Sequence, residues 1–428
     1  MGPDPEPRPR LHVTPPSGWL NDPVGGLVHR GRPHLFFQHV PGATVWRPDC
    51  HWGHLAGDDL VRWRHLPVAL APGDGDDGVW SGSAAVDERG PVLLYTSVRD
   101  GTADLGRVAL ARPLDDGLVR WRKHAGNPVL EPPDGLGVTH FRDPFVWGRP
   151  GDWSMLVGAG LDGRGGAVLR YTSPDLRVWR SRGVFAAGGA ALGQVWECPQ
   201  YVDLGGRRAL LVSVWDGGVL SRVAAAVGTE RDGAFVPDGW ETIGHGGSAY
   251  ALTTYRDPAG RPAATAWLRQ DDPPAPRAGW SGLLSLPVLL SARPGGGVHV
   301  APHPDVDTLR LAPLPVTGGT AELPDGVGEV VATLPPGAEL RLDTADRPVR
   351  LAATGAGLVT ESAAGTTEVP AAAPVGLRVV VDRGAVEAWT GDGRWLALRL
   401  PHLHAARAVL AGAGELAGWR LDPVQAPG

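Results

Sequence analysis

Short apolar runs separated by polar turns dominate the pattern of hydrophobic positions along the chain. Runs such as 92–95 (VLLY) and 209–214 (ALLVSV) follow turn-forming stretches at 87–90 and 203–206. Strand-length runs at a spacing of roughly 8–12 residues predict an all-β sandwich, barrel or propeller. No long stretch has helical spacing, and 62 Gly and 42 Pro disfavour long helices.

A recurring motif favours the propeller among these folds. An Asp turn, then Leu and, three residues later, Trp occur at 59–63, 116–121 and 175–179. The spacing of roughly 55–60 residues suits a four-stranded blade with its loops, so about 300 residues make five blades. The alternative is that Asp-Leu-x-x-Trp is merely a common hairpin end, which three evenly spaced copies make less favourable.

The pattern of apolar runs and turn residues changes after residue 290. Residues 291–297 (SARPGGG) resemble a linker, and beyond about 310 short apolar runs alternate with Gly and Pro turns. That alternation is typical of a β-sandwich. We therefore predict an all-β chain with a five-bladed β-propeller at 1–295, a linker at 296–310 and a C-terminal β-sandwich at 311–428.

Composition and charge exclude several classes of function. The formal net charge is −6, so the chain as a whole lacks the excess of basic residues that is typical of proteins that bind nucleic acid. The single lysine, Lys123, lacks the neighbours of a P-loop, and two cysteines cannot build a disulfide framework or a multi-Cys zinc site. No run of about 18 apolar residues and no apolar leader are present. We expect a cytoplasmic protein that binds neither membrane nor nucleic acid.

Three carboxylates stand in similar surroundings. Asp22 lies in 12–23 (HVTPPSGWLNDP), Asp143 in 140–145 (HFRDPF) and Glu197 in 195–200 (VWECPQ). Each has aromatic neighbours and a proline one or two residues further on. Because proline removes a backbone donor, each carboxylate is expected at a strand end or turn. A fourth site, Asp257-Pro258, runs into Ala-Gly and is interpreted as a plain hairpin turn.

Paired carboxylates suit glycoside hydrolysis, in which one carboxylate stays ionised and the other carries a proton. Trp196 offers an apolar wall beside Glu197. Asn21 and Arg142 offer polar partners for Asp22 and Asp143. In a propeller the innermost strand of every blade lines the central channel, so motifs far apart in sequence can meet there.

The ordered series of motifs resembles glycoside hydrolase family 32, the invertase, levanase and inulinase group. The N-terminal pattern His-x-x-Pro-x-x-x-x-Leu-Asn-Asp-Pro fits from His12 to Pro23. The further matches follow in order at 35–38, 52–54, 59–70, 80–84, 142–144, 196–199, 250–251, 279–282 and, in the C-terminal sandwich, 377–392.

The resemblance implies a retaining β-fructofuranosidase that acts on sucrose or short fructans without a cofactor. It implies Asp22 as nucleophile, Glu197 as acid/base and Asp143 as transition-state stabiliser. The implied fructose-binding residues are Asn21, Gln38, Trp46, Trp80, Ser81 and Arg142, with Tyr250 at the pocket rim. The sequence departs from the family at Val24 and at Ser248-Ala249, and we expect both departures to alter the pocket.

Several alternatives stay open at this point. They are a fructosyltransferase, another five-bladed glycosidase such as an arabinofuranosidase, and a degenerate carbohydrate-binding propeller. The histidines His51 and His54 have no zinc-site spacing, so no metal site is predicted. Cys198 is interpreted as a small buried filler rather than a nucleophile. The C-terminal sandwich is compatible with a homodimer.

Overall fold

A computed structural model describes residues 7–99, 104–270, 279–344, 347–400, 403 and 405–424. Short strands form most of this part of the chain, and its helices are three short 3-10 turns at Ala190–Leu192, Pro304–Leu309 and Pro324–Gly326. The strands form five sheets arranged as blades and two sheets that face each other. The predicted five-bladed β-propeller followed by a β-sandwich is confirmed.

The first four blades are antiparallel four-stranded sheets in chain order. Their strands are, in blade 1, β1 (Gly18–His29), β2 (Arg32–Val40), β3 (His51–Gly57) and β4 (Trp63–Leu70); in blade 2, β5 (Gly78–Asp87), β6 (Gly90–Val98), β7 (Arg107–Pro113) and β8 (Trp121–Lys123); in blade 3, β9 (Val138–Arg149), β10 (Asp152–Leu161), β11 (Gly165–Ser173) and β12 (Arg180–Ala187); in blade 4, β13 (Val195–Asp203), β14 (Arg208–Asp216), β15 (Val219–Arg231) and β16 (Ala234–Ile243).

The fifth blade also supplies the strand that closes the propeller ring against blade 1. Its strands are β17 (Ala249–Arg256), β18 (Pro262–Leu268), β20 (Leu283–Leu284), β21 (Val288–Ala292) and β22 (Val298–Pro302), while β19 (Trp280–Ser281) leaves this blade. Strand β19 pairs in parallel with the start of β1, with Gly18 opposite Trp280 and Trp19 opposite Ser281. The innermost strands β1, β5, β9, β13 and β17 contact one another in a closed ring around the channel.

The repeated Asp-Leu-x-x-Trp motif forms the same turn in three blades. It connects the third strand to the fourth in blades 1, 2 and 3. The indole nitrogens of Trp63, Trp121 and Trp179 donate to the carbonyl oxygens of Leu60, Leu118 and Leu176 over 2.9, 2.7 and 3.1 Å. In the second copy Asp115, rather than the expected Asp116, accepts the backbone N–H groups of the turn.

The C-terminal sandwich buries an aliphatic core between two antiparallel sheets. One sheet contains β23 (Arg310–Pro313), β26 (Val327–Leu334), β31 (Val375–Asp382), β32 (Ala385–Thr390), β33 (Trp395–Arg399) and β35 (Glu415–Leu421). The other contains β24 (Val316–Thr317), β25 (Thr320–Glu322), β27 (Glu339–Asp343), β28 (Val349–Ala353), β29 (Gly357–Ser362), β30 (Gly365–Pro370) and β34 (Arg407–Ala411).

The predicted linker at 296–310 contains regular structure. Strand β22 pairs with β21 in the fifth blade, and the 3-10 turn Pro304–Leu309 follows it. The division at 295 and 310 stays a prediction, and this pairing favours an end of the propeller after Pro302.

Two buried carboxylates of the sandwich bind the N-terminal segment of the propeller. Asp382 accepts the backbone N–H groups of Arg10, Leu11 and His12 over 2.8, 2.8 and 3.0 Å. The His12 ring lies 2.8 Å from Asp382 through Nδ1 and 2.9 Å from Glu387 through Nε2. Burial alone would lower the pKa of His12, but these two carboxylates outweigh it and raise the pKa to about 9. The His12 imidazolium therefore forms ion pairs that link the propeller to the sandwich.

Within the described ranges, no helix has the length and apolar character needed to span a membrane.

Candidate active site

A β-bulge interrupts each of the five innermost strands at the same level of the channel. The register shifts occur at Asn21-Asp22 in β1, Ser81 in β5, Asp143-Pro144 in β9, Cys198-Pro199 in β13 and Ala251-Leu252 in β17. A bulge re-aims the side chains next to it and ends regular pairing. All three predicted catalytic carboxylates lie in or beside these bulges.

Three of the bulges require an unusual backbone conformation. The φ angles of Asp143, Cys198 and Ala251 are 64°, 46° and 48°. A non-glycine residue in this region costs on the order of 1–3 kcal/mol, and such residues cluster at functional sites. Neighbouring side chains hold the strained backbone in place, since Asp143 N donates to Thr96 Oγ1 over 2.8 Å and Ala251 N donates to Ser213 Oγ over 3.0 Å.

The carboxylate of Asp22 is surrounded by donors from blades 1 and 2. Asn21 Nδ2 donates to Oδ1 over 2.9 Å, Ser81 Oγ donates to Oδ2 over 2.6 Å, and Gln38 Nε2 lies 3.5 Å from Oδ2. Gln38 also donates to Ser81 over 2.5 Å. Burial raises the pKa of Asp22 and nearby Glu197 adds to this rise, while the bonds from Ser81 and Asn21 oppose it. The donors favour the ionised form of this carboxylate.

Asp143 and Asp22 share a neighbour in Cys198. The Cys198 sulfur lies 3.6 Å from Oδ2 of each carboxylate, and the Cys198 backbone N–H donates to Asp143 over 2.9 Å. Burial raises the pKa of Asp143 to about 7, with the charge of Glu197 adding to the rise and that of Arg142 opposing it. The charges of Glu197 and Asp22 therefore both act on the buried Asp143 carboxylate in the channel.

Glu197 is held by partners from the two neighbouring blades. Arg142 of blade 3 approaches Oε1 through both Nε and Nη2 at 3.0 Å. The Tyr250 hydroxyl of blade 5 donates to Oε2 over 2.5 Å. Both oxygens are thereby fixed in orientation, and the two donors stabilise negative charge on this carboxylate.

Indole rings line the opening beside Arg142. The Arg142 guanidinium carbon lies 5.9 Å from the ring centroid of Trp80 and 5.8 Å from that of Trp215. Trp80 contacts Trp46 edge to face at 5.5 Å, and Trp46 is 45% exposed. Such an exposed aromatic surface suits packing against the apolar face of a sugar.

The structure brings all ten residues expected from the sequence into one connected group. The residues around Asp22 are Asn21, Gln38 and Ser81, those around Glu197 are Arg142 and Tyr250, and Trp80 with Trp46 extends the group to the surface. Sequence reasoning missed Trp215, Thr96 and Trp19, whose indole donates to Asn21 Oδ1 over 2.8 Å. Trp215 precedes the Asp-Gly-Gly turn of a hairpin, the one local signal that could have found it.

The expectation that Trp196 forms an apolar wall beside Glu197 is wrong. Trp196 is fully buried, contacts Trp240 at 5.1 Å between ring centroids and donates to the Leu192 carbonyl oxygen over 2.8 Å. The physical reason is that successive residues of a strand point to opposite faces. Glu197 therefore faces the channel while its neighbour faces the core of the blade.

The departures at Val24 and Ser248 do not line the group of carboxylates. Val24 is buried in an apolar cluster that includes Phe36 and Trp52. The Ser248 hydroxyl accepts the backbone N–H of Arg399 in the sandwich over 2.9 Å. Ala249 is likewise buried in an apolar cluster, so these departures lie in packing and domain contacts, and their effect on the pocket stays a prediction.

Comparison with known proteins identifies the family. Residues 12–302 match the model described as the glycosyl hydrolases family 32 N-terminal domain. The chain belongs to glycoside hydrolase family 32. A raffinose invertase of Escherichia coli is similar to it, with 34% identity over 326 residues that cover 71% of this chain and 66% of the relative. A sucrose-6-phosphate hydrolase of the same organism is 33% identical, with the same two coverages. The chain thus matches slightly less than two thirds of the length of these relatives.

Solved structures of similar proteins have the same architecture. A family 32 β-fructofuranosidase of Bombyx mori superposes with a TM-score of 0.87 at 25% identity, and the match covers 98% of this chain and 95% of that one. The match to a Lactobacillus gasseri sucrose-6-phosphate hydrolase has a TM-score of 0.86 at 23% identity and covers 98% and 94%. The propeller and the sandwich both belong to the common fold.

Proposed function

We propose that this family 32 chain is a retaining β-fructofuranosidase that hydrolyses terminal β-D-fructofuranosyl residues of sucrose or short fructans. The observation that carries the proposal is the convergence of Asp22 and Glu197 at one level of the channel in different surroundings. Asp22 accepts bonds from the neutral donors Asn21 and Ser81, and Glu197 faces the cation of Arg142. A double displacement needs two carboxylates that face one substrate site, and the channel supplies such a pair.

In the first step a carboxylate oxygen of Asp22 attacks the anomeric carbon of the fructosyl unit. Glu197 donates its proton to the departing glycosidic oxygen, so the bond to the neighbouring sugar breaks as the Asp22 ester forms. As Glu197 loses its proton, the donors Arg142 and Tyr250 stabilise the carboxylate that results.

In the second step the roles of the carboxylates reverse. Glu197 removes a proton from water, the water oxygen attacks the anomeric carbon, and Asp22 leaves as a free carboxylate. We assign to Asp143 the binding of fructose hydroxyl groups, because its buried carboxylate accepts only one described backbone N–H, that of Cys198, and the weak Cys198 thiol contact. Its remaining acceptor capacity suits hydroxyl donors.

The named relatives support sucrose-type substrates. The similar proteins include a raffinose invertase, sucrose-6-phosphate hydrolases and a levanase of Bacillus subtilis. A variant of the Bombyx mori enzyme was solved in complex with sucrose. The cytoplasmic location and the homodimer remain predictions from the sequence.

The test is release of free sugar by the purified protein from sucrose, inulin and levan, and from an arabinofuranoside. Asp22→Ala and Glu197→Ala should each lose several orders of magnitude in kcat, because each removes a covalent or proton-transfer role. Asp134→Ala, a change at an exposed aspartate that is not one of the ten site residues, is the matched control and should keep full activity.

The outcomes separate the alternatives. Fructose release by the wild type and by Asp134→Ala alone supports the proposal, whereas near-normal turnover in Asp22→Ala overturns the assignment of the nucleophile. Arabinose release without fructose release favours the arabinofuranosidase alternative. Fructose-containing oligosaccharides at high sucrose concentration indicate transfer, and a folded protein without any turnover indicates a binding function.

A further inference from the structure

A second concave site lies between blades 1 and 2, remote from the carboxylates. Its cavity volume is about 510 Å³, which lies in the range of small-molecule sites. We call it the blade 1–2 cavity, and it is lined by His29, Arg30, Arg32, His34, Ala56, Arg64, Leu66, Asp116, Gly117 and Val119. Strand β1 carries Asp22 near its start and His29 at its last position, so about 20 Å of extended chain separates the two sites.

The cavity is rich in positive charge although the chain as a whole carries −6. Three arginines line it, and Asp116 is the one acid among the described residues that do so. Arg30 pairs with Asp116 at 2.9 Å and Arg32 pairs with Asp58 at 3.1 Å, all four through well exposed side chains. Exposed pairs of this kind contribute little stability and are readily exchanged for a stronger anionic partner.

Arg64 has no carboxylate partner in the part of the chain that the structure describes. It lies on β4 opposite Ala56 of β3 and is exposed at the cavity. A guanidinium group presents a planar set of donors that matches the oxygens of a phosphate. Arg64 is therefore the cation most available to a ligand.

A buried histidine supplies a second and independent indication. His34 lines the cavity and is only 5% exposed, while its Nδ1 lies 3.0 Å from Nε2 of the fully buried His54. The other ring nitrogen of His54, Nδ1, is buried and has no partner among the described atoms. A buried N–H without an acceptor is unfavourable, so the proton shared by the two rings belongs to His54 Nε2.

This tautomer leaves His34 with its proton on Nε2. Since Nδ1 faces His54, the Nε2–H group is the donor available to the cavity. Burial lowers the pKa of His34 to about 4 and that of His54 to about 3, so both rings are neutral near pH 7. His34 thus offers a fixed neutral donor beside the three guanidinium groups.

We propose that the blade 1–2 cavity binds a phosphate group, either free or as part of a small phosphate ester. Arg64 and Arg32 contact the phosphate oxygens and His34 donates to it through Nε2. The cavity is larger than inorganic phosphate requires, which leaves room for the organic part of an ester. This site is independent of the proposed hydrolytic function.

The test is calorimetric titration of the full chain with inorganic phosphate and, separately, with glucose 6-phosphate. Arg64→Gln should weaken binding of either probe by roughly tenfold or more, since it removes a charge-assisted contact. Arg149→Gln, at an exposed arginine on blade 3 for which no partner is described, is the matched control and should bind as the wild type does. Tighter binding of glucose 6-phosphate indicates an ester site, and equal binding indicates a site for the free ion.

A second measurement avoids any variant in the buried histidine pair. The ¹⁵N spectrum of the histidine rings should place the His34 proton on Nε2, and added phosphate should shift that resonance. Failure of both probes to bind at about 10 mM would overturn the proposal. Binding that is unchanged in Arg64→Gln, or that leaves the His34 signals unmoved, would place the ligand elsewhere and overturn it equally.

Discussion

The Tyr250 hydroxyl donates a 2.5 Å hydrogen bond to Oε2 of Glu197, although the two residues belong to different blades. Burial raises the pKa of Tyr250 well above its ordinary value, and the charge of Glu197 raises it further. The phenol therefore stays protonated and keeps donating to Glu197 near and above neutral pH.

Tyr250→Phe removes this donor and keeps the ring. We expect kcat to fall by roughly 10- to 100-fold with a smaller change in KM, because the carboxylate formed on Glu197 loses one of its two stabilising partners. Steady-state kinetics with the preferred fructoside measures the effect.

The matched control for this variant is Tyr171→Phe. The Tyr171 hydroxyl in blade 3 is buried and has no hydrogen-bond partner in the described residues, so its removal should leave both activity and stability intact. Unchanged kcat in Tyr250→Phe would show that Arg142 alone positions Glu197.

The stereochemistry of the product tests the proposed double displacement. Two successive inversions at the anomeric carbon give net retention, so β-fructofuranose should be the first product released. An NMR time course that begins before mutarotation is complete distinguishes the anomers. Initial appearance of the α-anomer would contradict a covalent Asp22 intermediate.

The thiols should be inert in the folded protein. Burial raises the pKa of the Cys198 thiol strongly, and the neighbouring charges of Asp143 and Asp22 raise it further. Burial also raises the pKa of the Cys50 thiol. The thiolate is the reactive form, so alkylation near pH 8 should modify neither cysteine until a denaturant is added. Rapid loss of activity with iodoacetamide, prevented by a bound fructoside, would contradict this expectation.

The domain contact should make stability depend on pH. The pKa of His12 is 6.5 in the unfolded chain and about 9 in the folded one. The contribution of protonated His12 to the free energy of unfolding is therefore fully present below about pH 6.5 and is lost as the pH rises through about 9. Its magnitude is on the order of 3 kcal/mol. Thermal unfolding should show a midpoint that decreases across this interval.

His12→Gln is the variant that isolates this contribution. Glutamine keeps a side-chain hydrogen-bond donor but cannot carry the charge, so the midpoint should be lower at pH 6.5 and should vary less up to pH 9. If the midpoint decreased equally in the wild type and in His12→Gln between pH 6.5 and 9, the pH dependence would belong to other groups.

Local signals were sufficient for the fold and for the main site residues. Strand spacing and the Asp-Leu-x-x-Trp repeat act over a few residues, and the motifs around Asp22, Asp143 and Glu197 stand out by themselves. What the sequence could not provide was the direction of each side chain and its long-range partner. Trp196 was assigned to the wrong face for this reason, and the contacts of Glu197 with Arg142 and Tyr250 join residues about fifty positions apart.

The domain contact was equally hidden from sequence reasoning. Asp382 lies in an apolar strand, and nothing near it indicates that its carboxylate accepts three backbone N–H groups from residues 10–12. Such a pairing of distant segments appears only when the chain is folded. The same holds for Trp215, whose relation to Arg142 depends on two blades.

The parallel pairing of β19 with β1 has a consequence for how the protein is made. During synthesis the strand that carries Asp22 leaves the ribosome more than 250 residues before Trp280, the residue of β19 that lies opposite Gly18. The first blade must keep an open edge while blades 2 to 4 and the first two strands of blade 5 are added, and exposed edges of this kind invite wrong pairing. Fragments that end before residue 280 should therefore aggregate rather than accumulate as stable half-rings, and full-length chains should refold slowly.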